Sequence, residues 1–334
     1  MVRKQISALK YVGIIAGTCL SVLAAACVYI KQHDDFVATI SLNGDPTWYR
    51  DFAGRNIPEI QDQDLFYHNI GNAVSALKAS DIAFVGPSFV SYALDGELMQ
   101  LFGDNHDLKL YNFSFIGIRS GAFTRSIVKR WQIQPKLWVI NVDNQFSHFF
   151  SDNFDLSLGP NVMSIPTIHY AKFKGMVNVA GRNLRWRFED WLAYRNGAPH
   201  EPTGIYRNTQ TGSFHFTNPG YYSKENKRIS VMPNRECRLR DGTVSLAKDF
   251  LKDLGGKVVL MLVPHNVYCP DEARELAKAL NVEVILSPNE NLTSVDGGGH
   301  LDKDGAIEFT QHLLSELEKT QAYKSIVAEK NKGL

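Results

Sequence analysis

Cysteine is scarce in this chain, with 4 in 334 residues. None forms a C-x-x-C pair or stands beside histidines at zinc-finger spacing, which excludes a disulfide-dense scaffold and argues against a structural metal. Net charge is nearly absent: 36 Lys plus Arg face 35 Asp plus Glu, a formal balance of +1. No whole-chain field attracts nucleic acid, and no nucleic-acid partner is expected. The sequence also lacks a glycine-rich phosphate cradle and a set of metal ligands, so no cofactor and no metal are implied. Low-complexity tracts are missing too. At 44% hydrophobic and 11% aromatic residues, the chain can bury one large core or two smaller ones.

One stretch lacks charge altogether. Residues 11–30 are twenty consecutive uncharged positions, and as a helix of about 30 Å they match the hydrocarbon thickness of a bilayer. Arg3, Lys4 and Lys10 precede the stretch, whereas Lys31 is soon followed by Asp34 and Asp35. The positive excess therefore lies on the N-terminal side, which predicts a transmembrane anchor with residues 1–10 cytoplasmic and the body outside. Two alternatives stay open: signal-peptidase cleavage after Ala24-Ala25-Ala26, and lipoprotein-type cleavage at Cys27. In an exported body Cys237 and Cys269 either pair or remain buried thiols.

Five short apolar runs follow, at 81–86, 108–115, 137–143, 257–263 and 282–287. Each has the length and continuity of a strand buried on both faces. Between them lie segments of helical spacing. Residues 243–254 put Val244, Ala247, Leu251 and Leu254 on one face before Gly255-Gly256, and 302–317 close the domain in the same way. The alternation predicts an α/β fold, a doubly wound five-stranded parallel sheet in a three-layer, flavodoxin-like arrangement. Ligands of such sheets bind beyond the carboxyl ends of the strands. There the chain places Gly86-Pro87-Ser88, then Gly117 to Gly121, Asn141 to Asn144, Pro264-His265-Asn266, and Asp296-Gly297-Gly298-Gly299-His300. A serine, backbone-exposing glycines and an Asp/His pair on one rim are the parts of an acyl-transfer site.

The pattern resembles the SGNH (GDSL-type) hydrolase superfamily, in particular membrane-anchored members related to proteins that O-acetylate surface polysaccharides. The resemblance covers about 80–145 and 257–320. Residues 85–95 resemble the nucleophile block, with Pro87 where Asp or Ser is more usual. Tyr111-Asn112-Phe113-Ser114 leading to Gly117 resembles the second block, Trp138 to Asp143 the third, and His300-Leu301 with Gly305 the last. The resemblance implies a Ser88, His300, Asp296 triad, an oxyanion hole of the Ser88 and Gly117 amides, and a bacterial inner-membrane protein with a periplasmic body. Two positions depart from the family. Its third block supplies an asparagine to the oxyanion hole, where this chain has Asp143 with Asn144 adjacent, so either Asn144 takes the role or Asp143 is protonated or turned aside. The family's Asp lies three residues before the His; here Asp296 lies four before, and the intervening glycines must bend to bring the two together. Asp302 is the competing orienter.

Each candidate has a plainer reading beside the functional one. Ser88 is a nucleophile or a helix N-cap. His300 is the general base or a histidine satisfied in a loop. Asp296 holds the imidazole tautomer or forms a turn, and Gly117 donates to an oxyanion or permits one. His265 and Arg119 are candidate substrate contacts, the first more naturally structural and the second more naturally solvated.

The segment 160–240 differs from the rest. It holds 13 Lys plus Arg against 5 Asp plus Glu, a balance of +8, which leaves 23 against 30, or −7, elsewhere. It also carries Trp186, Trp191, Tyr206, Phe214, Phe216, Tyr221 and Tyr222. Such an inserted subdomain suits an aromatic floor and cationic rim for an anionic glycan, in which Asp143, Trp186 and Trp191 are further candidate contacts; alternatively the aromatics pack and the basic residues are solvated. The expected layout is anchor 11–30, lead-in 31–79, α/β domain 80–159 and 241–322, insertion 160–240, and C-terminal tail 323–334. Two functions stay open. One is a serine esterase or O-acyltransferase acting on a cell-surface or secreted polysaccharide, with or without a membrane acyl-donor partner protein. The other is a non-catalytic glycan-binding envelope component that keeps the fold.

Overall fold

The computed structural model describes residues 48–52, 69–116, 120–142, 204–217, 219–223, 227–230, 241–287 and 292–332, together with 65–66, most positions from 10 to 21 and a few isolated ones. In chain order the strands are β1 (Trp48–Phe52), β2 (Ile82–Gly86), β3 (Leu110–Ser114), β4 (Leu137–Asn141), β5 (Ile205–Asn208), β6 (Phe214–Phe216), β7 (Lys227–Arg228), β8 (Lys257–Leu262), β9 (Glu283–Leu286) and β10 (Thr293–Ser294). The helices are α1 (Ala73–Lys78), α2 (Ser88–Ala93), α3 (Gly96–His106), α4 (Ser120–Trp131), α5 (Thr243–Leu254), α6 (Pro270–Leu280), α7 (Lys303–Leu317) and α8 (Gln321–Lys332).

The five apolar runs form one all-parallel sheet in the order β3-β2-β4-β8-β9. All five residues of β2 and of β4 are buried, because helices cover both faces. Ala83, Val85, Trp138 and Ile140 face a core shared with α1, α4, α5 and α6. Ile82, Phe84, Leu137 and Val139 face the opposite core, shared with α2, α3, α7 and α8. Each large apolar side chain so enclosed contributes roughly 1.5–3 kcal/mol, which is why the strands read as continuous apolar runs. The strand order reverses between β2 and β4, and a doubly wound sheet opens its ligand crevice at that point.

A second sheet, antiparallel, has the order β1-β5-β6. Tyr49 pairs with Arg207 and Arg207 with Phe214. The turn after β5 lies against β3, where the Asn112 N–H donates to the Thr211 carbonyl at 2.8 Å. An edge strand of the parallel sheet is thereby met by another segment rather than left open.

The layout differs from the sequence expectation in three places. Part of the lead-in, β1, pairs with part of the insertion, β5, so the two share one sheet. The insertion's Tyr206, Phe214, Phe216 and Tyr221 are buried, in keeping with the packed alternative and not with an aromatic floor. Its Arg207 is fully buried, its guanidinium 4.8 Å from the Phe214 ring centre and 5.0 Å from that of Phe66, with Nη2 donating to the Asn112 carbonyl at 2.9 Å. Aromatic faces and a carbonyl replace the water that such a cation loses. Most of the expected tail is helix α8, docked through buried Tyr323 and Ile326. Cys237 and Cys269 form a disulfide, with Cα atoms 5.3 Å apart. Among the described residues no helix is long and apolar enough to cross a membrane; the described positions from 10 to 21 are helical, and 22–30 lie outside the described residues.

Candidate active site

β2 ends at Gly86, and Pro87, in extended conformation, leads into α2, whose first residue is Ser88. The helix starts this close to the strand only because residue 86 has no side chain: a Cβ there would stand 2.2 Å from Val90 Cγ2 and 3.1 Å from Asn141 Cβ. Beneath α2 runs a buried polar chain. Asn112 Oδ1 accepts from the Ser114 amide at 3.1 Å and from its hydroxyl at 2.5 Å, and Ser114 Oγ meets Ser91 Oγ at 2.9 Å. These bonds tie the helix carrying Ser88 to β3. At the end of β4, Asn141 Oδ1 accepts from the Val263 amide at 2.9 Å. Its Nδ2 is buried with no partner among the described residues.

Opposite Ser88 stands the loop between β10 and α7. It is closed at its base like a hairpin: the Val295 amide donates to the His300 carbonyl at 2.9 Å, and the Asp302 amide to the Thr293 carbonyl at 3.2 Å. Inside it the three glycines let the chain wrap around the Asp296 carboxylate. Oδ1 accepts from the amides of Gly298 at 2.7 Å, Gly299 at 3.1 Å and His300 at 3.3 Å, while Oδ2 meets His300 Nδ1 at 2.6 Å. This wrap accounts for a separation of four residues. Burial pushes the Asp296 carboxyl up, but the Gly298 amide, the His300 ring and the Gly299 amide outweigh it and hold the group below the ordinary carboxylate range. It is therefore ionised at neutral pH and fixes the imidazole with Nε2 as acceptor. His300 Nε2 lies 2.8 Å from Ser88 Oγ.

Ser88 is thus not the N-cap of α2; that position is Pro87. Asp302 does not compete for the imidazole. Its Oδ1 accepts from the Gly305 amide at 2.9 Å and from the Thr293 hydroxyl at 2.6 Å, and it caps α7. His265 is no exposed substrate contact either. It is buried against the Phe89 ring, 5.0 Å between centroids, and beneath Gly299, whose φ is +144° and where a Cβ would strike His265 Cβ at 2.5 Å. The neighbouring Asn266 amide donates to the Gly298 carbonyl at 2.7 Å. Residues 265 and 266 therefore buttress the loop. Gly117, Arg119, Asp143, Asn144, Trp186 and Trp191 lie outside the described residues.

Two contributors lie within 85–95 but are not among the candidate residues of the sequence. The rings of Phe89 and Tyr92 lie 5.1 Å and 4.6 Å from that of His300. Tyr92 follows Ser88 by four residues, one turn along the same helical face, and this spacing is the sequence signal that marks it. Near the loop, β7 of the insertion pairs with β10 and leaves Lys227 and Arg228 exposed. Among the described residues no group of three or more His, Cys, Asp or Glu side chains is arranged to hold a metal ion. Compared with known proteins, the chain matches no family model, no curated protein and no solved structure, so residue geometry is what bears on its function.

Proposed function

We propose that the protein is a membrane-anchored, extracytoplasmic serine esterase or O-acyltransferase of SGNH type, acting on acyl groups, acetyl foremost, of a cell-surface or secreted polysaccharide. The observation that carries this reading is the continuous relay Ser88 Oγ, His300 Nε2, His300 Nδ1, Asp296 Oδ2, with contacts of 2.8 and 2.6 Å, at the carboxyl edge of a doubly wound sheet. His300 takes the Ser88 proton as Oγ attacks the acyl carbonyl. The Ser88 amide, with Gly117 and Asn144 as further candidate donors, faces the developing oxyanion. Collapse of the tetrahedral intermediate expels the alcohol, which receives the proton from His300 and leaves the acyl group on Oγ. Water or a sugar hydroxyl, deprotonated by the same imidazole, then takes the acyl group and returns the proton to Ser88.

The location rests on three features. The uncharged run 11–30 is long enough to span a bilayer. Arg3, Lys4 and Lys10 precede that run and Asp34 and Asp35 follow it, the charge bias expected of a body facing outward. The Cys237–Cys269 disulfide suits an oxidising compartment.

The test is turnover of an activated acetyl ester by the body beginning after residue 30, alongside the full chain in detergent. Ser88→Ala and His300→Ala should each lower kcat/KM by at least about 10³-fold. Equal background from wild type and both variants would reject catalysis in favour of a glycan-binding envelope component.

A further inference from the structure

The base of the relay is half exposed: the side chains of His300 and Asp296 keep 29% and 42% of their accessible surface. A hydrogen bond to Asp296 fixes one ring nitrogen but leaves the imidazole plane free to rock about that bond. Rings packed against its faces remove that freedom. Tyr92 lies nearest, 4.6 Å from the His300 centroid and tilted 46° to it. Beyond Tyr92 stands Phe216 at 4.3 Å, with Tyr221 6.3 Å from Tyr92 and stacked on Phe216 at 4.4 Å and 28°. Phe216 and Tyr221 are nearly fully buried and belong to the segment that builds the antiparallel sheet, outside the parallel one. We propose that Tyr92 is a positioning residue for His300, and that Phe216 and Tyr221 of the inserted segment set the catalytic base through it. The inserted segment then does more than border the site, because its packing decides whether the imidazole stays aimed at Ser88 Oγ. A displacement of about 1 Å at such a group costs up to about 10²-fold in rate.

The kinetic consequence rests on the acyl-transfer reading; the placement of the ring does not. The experiment therefore combines ester turnover with proton NMR of the far-downfield His300 Nδ1–H that bonds Asp296, on Tyr92→Leu, Tyr92→Phe and Phe216→Leu, each checked for folding by its thermal transition. In folded Tyr92→Leu the downfield signal should broaden away and kcat fall about 10- to 100-fold with KM little changed. Tyr92→Phe, which keeps the ring, should retain both signal and rate, and Phe216→Leu should fall between. If Tyr92→Leu does not fold, Phe216→Leu decides. A sharp, unmoved signal with wild-type kcat in a folded leucine variant would overturn the proposal. If the wild type turns over no ester, the acyl-transfer reading fails and the NMR signal alone decides: its loss supports the positioning role, and its persistence overturns it.

Discussion

Ser88 is delivered by a strand whose five residues are all buried, and by a helix seated so closely that Gly86 has no room for a side chain. His300 stands instead on a loop that keeps much of its surface and is held by hydrogen bonds from backbone amides to one carboxylate, by two aromatic neighbours and by the His265 wedge. The proposed nucleophile is placed by the hydrophobic core and moves only if the core fails. The proposed base is placed by local polar contacts and ring packing, which substitutions can undo while the protein stays folded. Activity and stability should therefore separate on the base side and fail together on the nucleophile side.

Asp296→Asn tests that separation most severely. It removes the ion that fixes the imidazole tautomer and should lower kcat by about 10³- to 10⁴-fold, with the thermal transition little changed because the group is half exposed. Parallel loss of activity and folding would break the contrast. Cys237→Ser is expected to do the reverse. Opening a crosslink over a separation of 32 residues should cost on the order of 3 kcal/mol in denaturant unfolding, while kcat of the folded fraction holds. Asp302→Ala, two residues beyond the base, removes the cap of α7 and should cost about 1 kcal/mol with kcat kept. A collapse of kcat there would mean that Asp302, rather than Asp296, orients the ring.

The smallest expected effect is on stability against pH. The Asp296 carboxyl lies below its ordinary value of 3.8 in the folded protein, so its contribution is full above that value and lost as pH falls through the lower, folded-state one. The stability difference between wild type and Asp296→Asn should therefore be present at neutral pH and vanish in strong acid. Urea titrations of the two proteins at several acidic pH values would show it; a difference that grows on acidification would contradict the depressed carboxyl.

The parallel sheet was legible because helices cover both its faces, which forces uninterrupted apolar residues onto 82–86 and 137–141. No such signal marks the antiparallel sheet. Its strands carry Arg50, Asp51 and Arg207, and Arg207 is buried only because Phe66 and Phe214, from distant parts of the chain, supply faces for its guanidinium. Helix α8 reads as a tail because it is rich in Lys and polar residues; it docks by burying Tyr323 and Ile326, with Ala322 and Val327 partly covered beside them. At the site, Ser88, Asp296 and His300 stood out at the ends of runs, as residues of a doubly wound sheet do. The four-residue spacing was the obscure part, since it depends on backbone amides folding onto a carboxylate. Tyr92 is obscure for a different reason: its spacing from Ser88 puts it on the same helical face, but an aromatic on a short helix reads as core until its neighbours in space are known.

The central claim is that Ser88 Oγ becomes the acyl carrier under the action of His300. Rapid acid quench of the full chain after mixing with an activated acetyl ester, followed by peptide mass spectrometry, tests it directly. The account predicts one added acetyl group on the peptide containing Ser88, absent in Ser88→Ala and strongly reduced in His300→Ala. Acetyl spread over surface lysines, with Ser88 unmodified in the wild type, would contradict it.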